Sequence, residues 1–221
     1  IGTLGVDAHA QNSGRPNGKV HRLHDDGRVP GDNPFRAQPG ALGSVWSLGH
    51  RVPQGLAFDP REGRLWLTEH GPRGGDELNH IISGGNYGWP EVSAGMWYDG
   101  TAISDLPWRE GFESPVVDWT PSIAVSNIVF YRGAAFPGWR DNLLVASLRG
   151  SKLLRLVVKD GRVVHSEVPL EGVGRLRDLD VAPDGSLYLL SEFVGGSRIL
   201  RLFPVTATSD RPASESIPAA H

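Results

Sequence analysis

The sequence predicts an all-β chain built as part of a β-propeller. Three observations predict it: a strand–turn–strand phrase that recurs along the chain, a recurrence interval of roughly 40–50 residues as in propeller blades, and 29 Gly with 17 Pro in 221 residues. Both residues interrupt helices and favour turns, which disfavours a long unbroken helical bundle.

Taken in chain order, Gly18–Leu23 reads as the closing strand of an earlier blade. The first full copy runs Gln54-Gly55-Leu56-Ala57-Phe58-Asp59-Pro60, then through Gly63 to Leu65-Trp66-Leu67 and on to Glu77–Ile82. The second runs from Asn127–Tyr131 through Phe136-Pro137-Gly138-Trp139 to Leu143–Ala146 and Leu153–Val158. The third runs from Asp178–Val181 through Pro183-Asp184-Gly185 to Leu187–Leu190 and Ile199–Phe203. In each, apolar and polar residues alternate at period two around a Pro/Gly/Asp turn, as half-buried strands do.

A closed propeller takes typically 4–8 four-stranded blades, more than these copies supply. The expectation is the C-terminal part of a longer propeller over residues 1–204, its first blades missing or supplied by another chain. Residues 205–221, Ser/Ala/Pro-rich and without periodicity, read as a disordered tail. Two long connections, Asp25–Gly43 and Gly84–Pro115, interrupt the blades; the second carries Trp89, Trp97 and Trp108, and loops of such length are commonly functional.

Composition narrows the function. Hydrophobic residues at 39% suffice for a core, and 21% charged residues are too few for a disordered chain. A net charge of −3 leaves no basic excess for nucleic acid or an anionic membrane surface. The absence of cysteine rules out disulfides and cysteine-ligated metals, and no apolar run approaches the ~18 residues of a membrane span. Neither a Gly-x-Ser-x-Gly elbow nor a phosphate-binding Gly-Lys-Thr loop occurs. His21, His24, His80, His165 and His221 show no metal-ligand spacing and read as ordinary surface or strand residues.

The densest chemistry lies in Glu69-His70-Gly71-Pro72-Arg73-Gly74-Gly75-Asp76-Glu77-Leu78-Asn79. Glycine-rich backbone lets carbonyls turn toward a cation, and adjacent carboxylates supply hard oxygen ligands suited to calcium; an exposed turn with solvated charges is the other reading. Arg51 stands just before one inner strand, Arg175 and Arg177 at the start of another on one face, and Arg149 at the end of a comparable strand. Four guanidinium groups converging on a channel repel unless an anion sits between them. Separate pairing with Asp178, Glu171 or Asp180 is the alternative.

The motifs Gly49-His50-Arg51-Val52-Pro53-Gln54-Gly55, Glu69–Glu77 and Gly85-Asn86-Tyr87-Gly88-Trp89-Pro90 resemble those of soluble quinoprotein sugar dehydrogenases. So do Gly18-Lys19-Val20, Pro30–Phe35, Trp119–Ala124 and Arg175–Asp178, in order from Ile1 to about Phe203. The resemblance implies a six-bladed propeller that oxidises an aldose to a lactone with pyrroloquinoline quinone (PQQ), calcium and an external electron acceptor. It implies PQQ contacts at Arg51, Tyr98, Ser122, Arg149, Arg175 and Arg177. It implies calcium at the carbonyls of Gly71 and Pro72, and a structural calcium at the Glu77 carboxylate and Tyr87 carbonyl. The family's catalytic histidine falls upstream of Ile1, so no catalytic residue is assigned here. Such enzymes act in the periplasm or outside the cell.

Three positions depart from the family pattern. Val52 stands where Asn usually follows the Arg, Thr3 where Asp is common, and Val125 where Pro is usual. They motivate an alternative, a non-catalytic carbohydrate- or partner-binding propeller with a decayed cofactor site. A calcium-dependent lactonase is a third reading, which the excess of Arg over acid disfavours.

Overall fold

The computed structural model describes residues 1–3, 5 and 7–205. The expected tail, apart from Val205, lies outside the described residues, as does His221. The described strands form four antiparallel sheets. A short pair, β1 (Lys19–His21) with β2 (Val45–Leu48), comes first. A four-stranded meander follows: β3 (Pro53–Phe58), β4 (Leu65–Glu69), β5 (Asp76–Ile81) and β6 (Val117–Trp119). The next meander comprises β7 (Val125–Phe130), β8 (Leu143–Ser147), β9 (Lys152–Lys159) and β10 (Arg162–Glu171). A three-stranded sheet, β11 (Arg175–Val181), β12 (Leu187–Phe193) and β13 (Gly196–Leu202), ends the series.

The three recurring phrases thus become three consecutive up-and-down sheets. Their first strands lie side by side, β3 against β7 and β7 against β11. Side chains tie them across the gaps: Thr68 Oγ1 donates to the Ser126 carbonyl at 2.8 Å, and Ser126 Oγ to the Leu176 carbonyl at 2.6 Å. Between the sheets lie two apolar cores. One gathers Trp66, Leu78, Val125, Ile128, Val145 and Leu156. The other gathers Tyr131, Leu144, Leu153, Leu176, Leu187 and Leu189. A fully buried side chain of this kind contributes about 1.5–3 kcal/mol. That burial on both faces explains why β8 reads as an unbroken apolar run, Leu143-Leu144-Val145-Ala146.

Three strands have no counterpart in the sequence reading. β2 and β6 span only four and three residues, too short for a period to register. β10 is the exposed outer strand of its sheet, with neither face consistently buried and Pro169 within it. No strand occurs within Asp25–Gly43, as expected. No helix among the described residues is long and apolar enough to cross a membrane.

The topology fixes one rim. Within each sheet the first strand runs antiparallel to the second, so the starts of β3, β7 and β11 lie at the same end as the finishes of β4, β8 and β12. The register pairs Pro53 with Glu69, Val125 with Ser147, and Arg175 with Glu192. Arg51, His70–Pro72, Ser122, Arg149 and Arg175 all belong to that rim.

Candidate functional site

The loop after β4 is organised around Asp76, fully buried at the start of β5. Its carboxylate accepts from the Gly71 amide (3.0 Å), the Ser122 hydroxyl (2.7 Å) and the Val125 amide (3.3 Å). Val125, standing where the resemblance expects Pro, thereby supplies a donor that Pro lacks. A side chain at Gly71 would lie 2.0 Å from the Gly74 carbonyl oxygen and 2.6 Å from that of Gly75, so only glycine fits this cradle. Ser122 and Arg149 are joined through backbone, the Arg149 amide donating to the Ile123 carbonyl at 2.9 Å.

His70 hydrogen-bonds the Val125 carbonyl through Nε2. Burial lowers its pKa, Asp76 opposes, and the charges of Arg51 and Arg177 push it down further. One imidazole therefore feels guanidinium groups from two different sheets. Arg51 donates from Nη1 to the His70 carbonyl at 3.1 Å and lies over the Trp89 ring, 5.2 Å from its centroid. Its Nε is buried with no hydrogen-bond partner. A buried donor left over on a cation has capacity for one more acceptor, and the guanidinium charge suits an anionic one.

A cavity of about 10 Å³, room for roughly one water or ion, brings Arg51, Gly71, Glu77 and Tyr87 together with Glu69 and Gly75. Glu69 accepts three hydrogen bonds, from His50 Nδ1 (2.9 Å), the Arg51 amide (2.7 Å) and Asn79 Nδ2 (3.0 Å). Glu77, directly across from Glu69 in the ladder, accepts from Asn79 Nδ2 at 2.9 Å. Burial raises its pKa well above the carboxylate range, and the charges of Glu69, Asp118 and Asp76 add to the shift. A carboxylate held this way, beside carbonyl oxygens, suits a hard cation. Among the described residues no three His, Asp or Glu side chains are grouped to hold a metal ion, so any such ion would lean on backbone carbonyls.

The remaining positions are looser. Arg175 and Arg177 do lie on one face, but both face Glu192, at 3.8 and 2.9 Å. That partner is not among the three the sequence suggested: Asp178 binds Asn127, Glu171 pairs with Lys152, and Asp180 accepts from the Val181 amide. Arg149 is exposed. Tyr98, 70% exposed, tops a small hairpin hung over the loop by a 3.3 Å bond from Arg73 Nη1 to its carbonyl. Pro72 is buried beside Gly71 but does not line the small cavity. The sequence marked Glu69, Asp76 and Asn79 only as members of the acidic, glycine-rich stretch suited to calcium, and gave no role to Glu192. Glu192 becomes visible once the β11–β12 register places it opposite Arg175, and the pairing of Glu69 with Glu77 once β4 and β5 are aligned.

Consecutive antiparallel sheets with a cationic, oxygen-rich rim define a propeller-like scaffold. The chain matches the Glucose / Sorbosone dehydrogenase family over residues 1–201 and belongs to it. It is 40% identical to the aldose sugar dehydrogenase YliI of Escherichia coli over 198 residues, covering 88% of this chain and 53% of that protein. It is 32% identical to quinoprotein glucose dehydrogenase B of Acinetobacter calcoaceticus over 235 residues, covering 80% and 48%. The chain thus spans about half the length of these curated relatives. A crystal structure of a glucose dehydrogenase superposes with a TM-score of 0.89 at 39% identity, over 93% of this chain and 60% of the other. The PQQ-bound aldose sugar dehydrogenase of Streptomyces coelicolor superposes at 0.72 and 34%, over 91% and 56%.

Proposed function

We propose that this chain supplies the cofactor and cation sites of a PQQ- and calcium-dependent dehydrogenase that oxidises an aldose at its anomeric carbon to the lactone. The observation that carries the reading is the unpartnered, buried Nε of Arg51 at a rim that also bears Arg149, Arg175 and Arg177. PQQ, when bound, supplies an electron-poor ortho-quinone able to accept a hydride. The arginines would hold its carboxylates, with Tyr98 and Ser122 flanking it. The carbonyls of Gly71 and Pro72 would hold one calcium, kept in place by the Asp76–Gly71 bond. Glu77 and the Tyr87 carbonyl would hold a second, structural calcium.

No base is assigned within this chain. His50 is bound between Ser47 Oγ (2.8 Å) and Glu69, and His70 is engaged by Val125. A base in the preceding blades of a six-bladed ring completes the scheme, and its proton transfer is worth ~10²–10⁴ in rate. The external electron acceptor and a periplasmic or secreted location belong to the same reading. The test is dye reduction by the full-length protein with PQQ, calcium and an aldose panel. Reduction that does not depend on the cofactor, or none at all, counts against it.

The pairing of Arg175 and Arg177 with Glu192, together with Val52 and Thr3, favours one competing reading: a non-catalytic carbohydrate- or partner-binding propeller. Calorimetric titration with PQQ separates the two, since tight calcium-dependent uptake contradicts a decayed site.

A further inference from the structure

We infer that Trp89 is a positioning residue for Arg51, its indole face holding the half-buried guanidinium at the rim for an anionic ligand. This deepens the cofactor reading above and rests on it. Arg51 has few fixed points of its own: one hydrogen bond from Nη1 to the His70 carbonyl and the stacking on Trp89. Trp89, by contrast, is held through both its backbone and its ring. Its backbone amide donates to the Gly49 carbonyl at 2.9 Å, and its carbonyl accepts from Gln11 Nε2 at 2.7 Å. Its Nε1–H donates to Asp7 Oδ1 at 2.9 Å, and the Trp97 ring meets it edge-on at 5.5 Å.

Other arginines also lie over aromatic rings in this chain, on Trp46, Phe112, Phe193, Tyr188 and Phe203. Among the described residues Trp89 is the buried ring of that set, at 4% exposure. Attraction between a cation and a ring face strengthens when water is excluded. A guanidinium steered by a fixed ring also loses less freedom when it takes up a ligand. The turn carrying Trp89 comes from the Gly84–Pro115 connection, so that long insertion acts on the rim without contributing a strand to it.

The test is a double-mutant cycle in the full chain, with Trp89→Leu, Trp89→Phe and Arg51→Gln, read by calorimetric titration of PQQ in the presence of calcium. Trp89→Leu is expected to weaken binding about tenfold and Trp89→Phe about threefold. In the Arg51→Gln background Trp89→Leu is expected to change affinity less than twofold. Equal losses in both backgrounds overturn the inference, because Trp89 then acts by general packing. Absence of PQQ binding in the parent overturns the cofactor reading instead. Urea denaturation of the four cofactor-free proteins of the Trp89→Leu/Arg51→Gln cycle then decides the stacking: non-additive midpoints for Trp89→Leu and Arg51→Gln support it, and additive ones refute it.

Discussion

At the scale of single residues, Lys19 shows how a buried charge serves the rim from a distance. Its ammonium is fully buried and donates to the carbonyls of His9, Ala10 and Asn17, each at 2.8 Å. Two of those carbonyls belong to the 3-10 turn Asp7–Gln11, whose end residues fix Trp89. Burial pulls the Lys19 pKa from 10.5 down to about 8, so the carbonyls offset only part of the desolvation. Between pH 8 and 10.5 the unfolded chain still holds a proton that the folded chain has released, and stability from this group rises with pH. Lys19→Met leaves the three carbonyls unpaired and is expected to cost about 1–3 kcal/mol near neutral pH. Urea midpoints of parent and variant should diverge further from pH 8 to 10; a gap that closes with pH contradicts the assignment. The Gly-Lys-Val motif was legible in the sequence as part of a resemblance, but not what the lysine does. Its partners are backbone oxygens up to ten residues away, to which no sequence pattern points.

At the scale of elements, the strands that bury one or both faces were legible, because burial writes a period into the chain. The outer strand β10 was not, since its exposed faces and Pro169 leave no pattern, and β2 and β6 were too short to show one. The site divides the same way. Residues inside contiguous motifs, such as Gly71 and Glu77, could be named, whereas Glu192 enters only through the β11–β12 register. The turn Asn86–Trp89 docks on Gly49, where φ is +80° and an added Cβ would lie 2.2 Å from Asn86 Oδ1 and 2.6 Å from the Gly88 amide nitrogen. Gly49→Ala is expected to lose at least about 2 kcal/mol through strain and clash together. Gly84→Ala is the control, with φ +77° and nothing nearer than the Pro34 Cβ at 3.5 Å; strain alone should take about 1 kcal/mol there. Equal losses in urea denaturation would show that docking on Gly49 contributes nothing. Across β4 and β5, the facing pair Glu69–Glu77 is unfavourable without a cation. Calcium at 100 times its Kd should stabilise the fold by about 2.7 kcal/mol. Glu77→Gln should remove the part of the response that belongs to this second site; a calcium-induced rise in Tm of unchanged size would move that ion elsewhere.

At the scale of the whole molecule, each sheet covers the face of its neighbour, and two end faces are left over. On one, β3 turns Leu56 and Phe58 outward, 52% and 66% exposed, beside open grooves of about 560 and 580 Å³ that reach to β1. On the other, β12 and β13 present Leu190 and Ile199, the latter 70% exposed, and among the described residues β13 has an unpaired edge. Contiguous apolar surface and an unpaired strand edge both drive association. Because the two faces differ, contact between copies would be head to tail, and such contacts need not close. The 221-residue chain by itself is therefore expected to self-associate in a concentration-dependent way. Leu56→Lys with Phe58→Lys should shift it toward monomer, and Ile199→Lys should do so independently, because either change disables one half of the same heterologous contact. Sedimentation velocity over a range of concentrations measures this. A parent that stays monomeric, or variants that associate like the parent, would mean that these faces are covered by some other rearrangement of the chain. In a complete ring the same faces would be interior. Their apolar character is thus a demand for neighbouring blades, made by the same side-chain alternation that first marked these segments as strands.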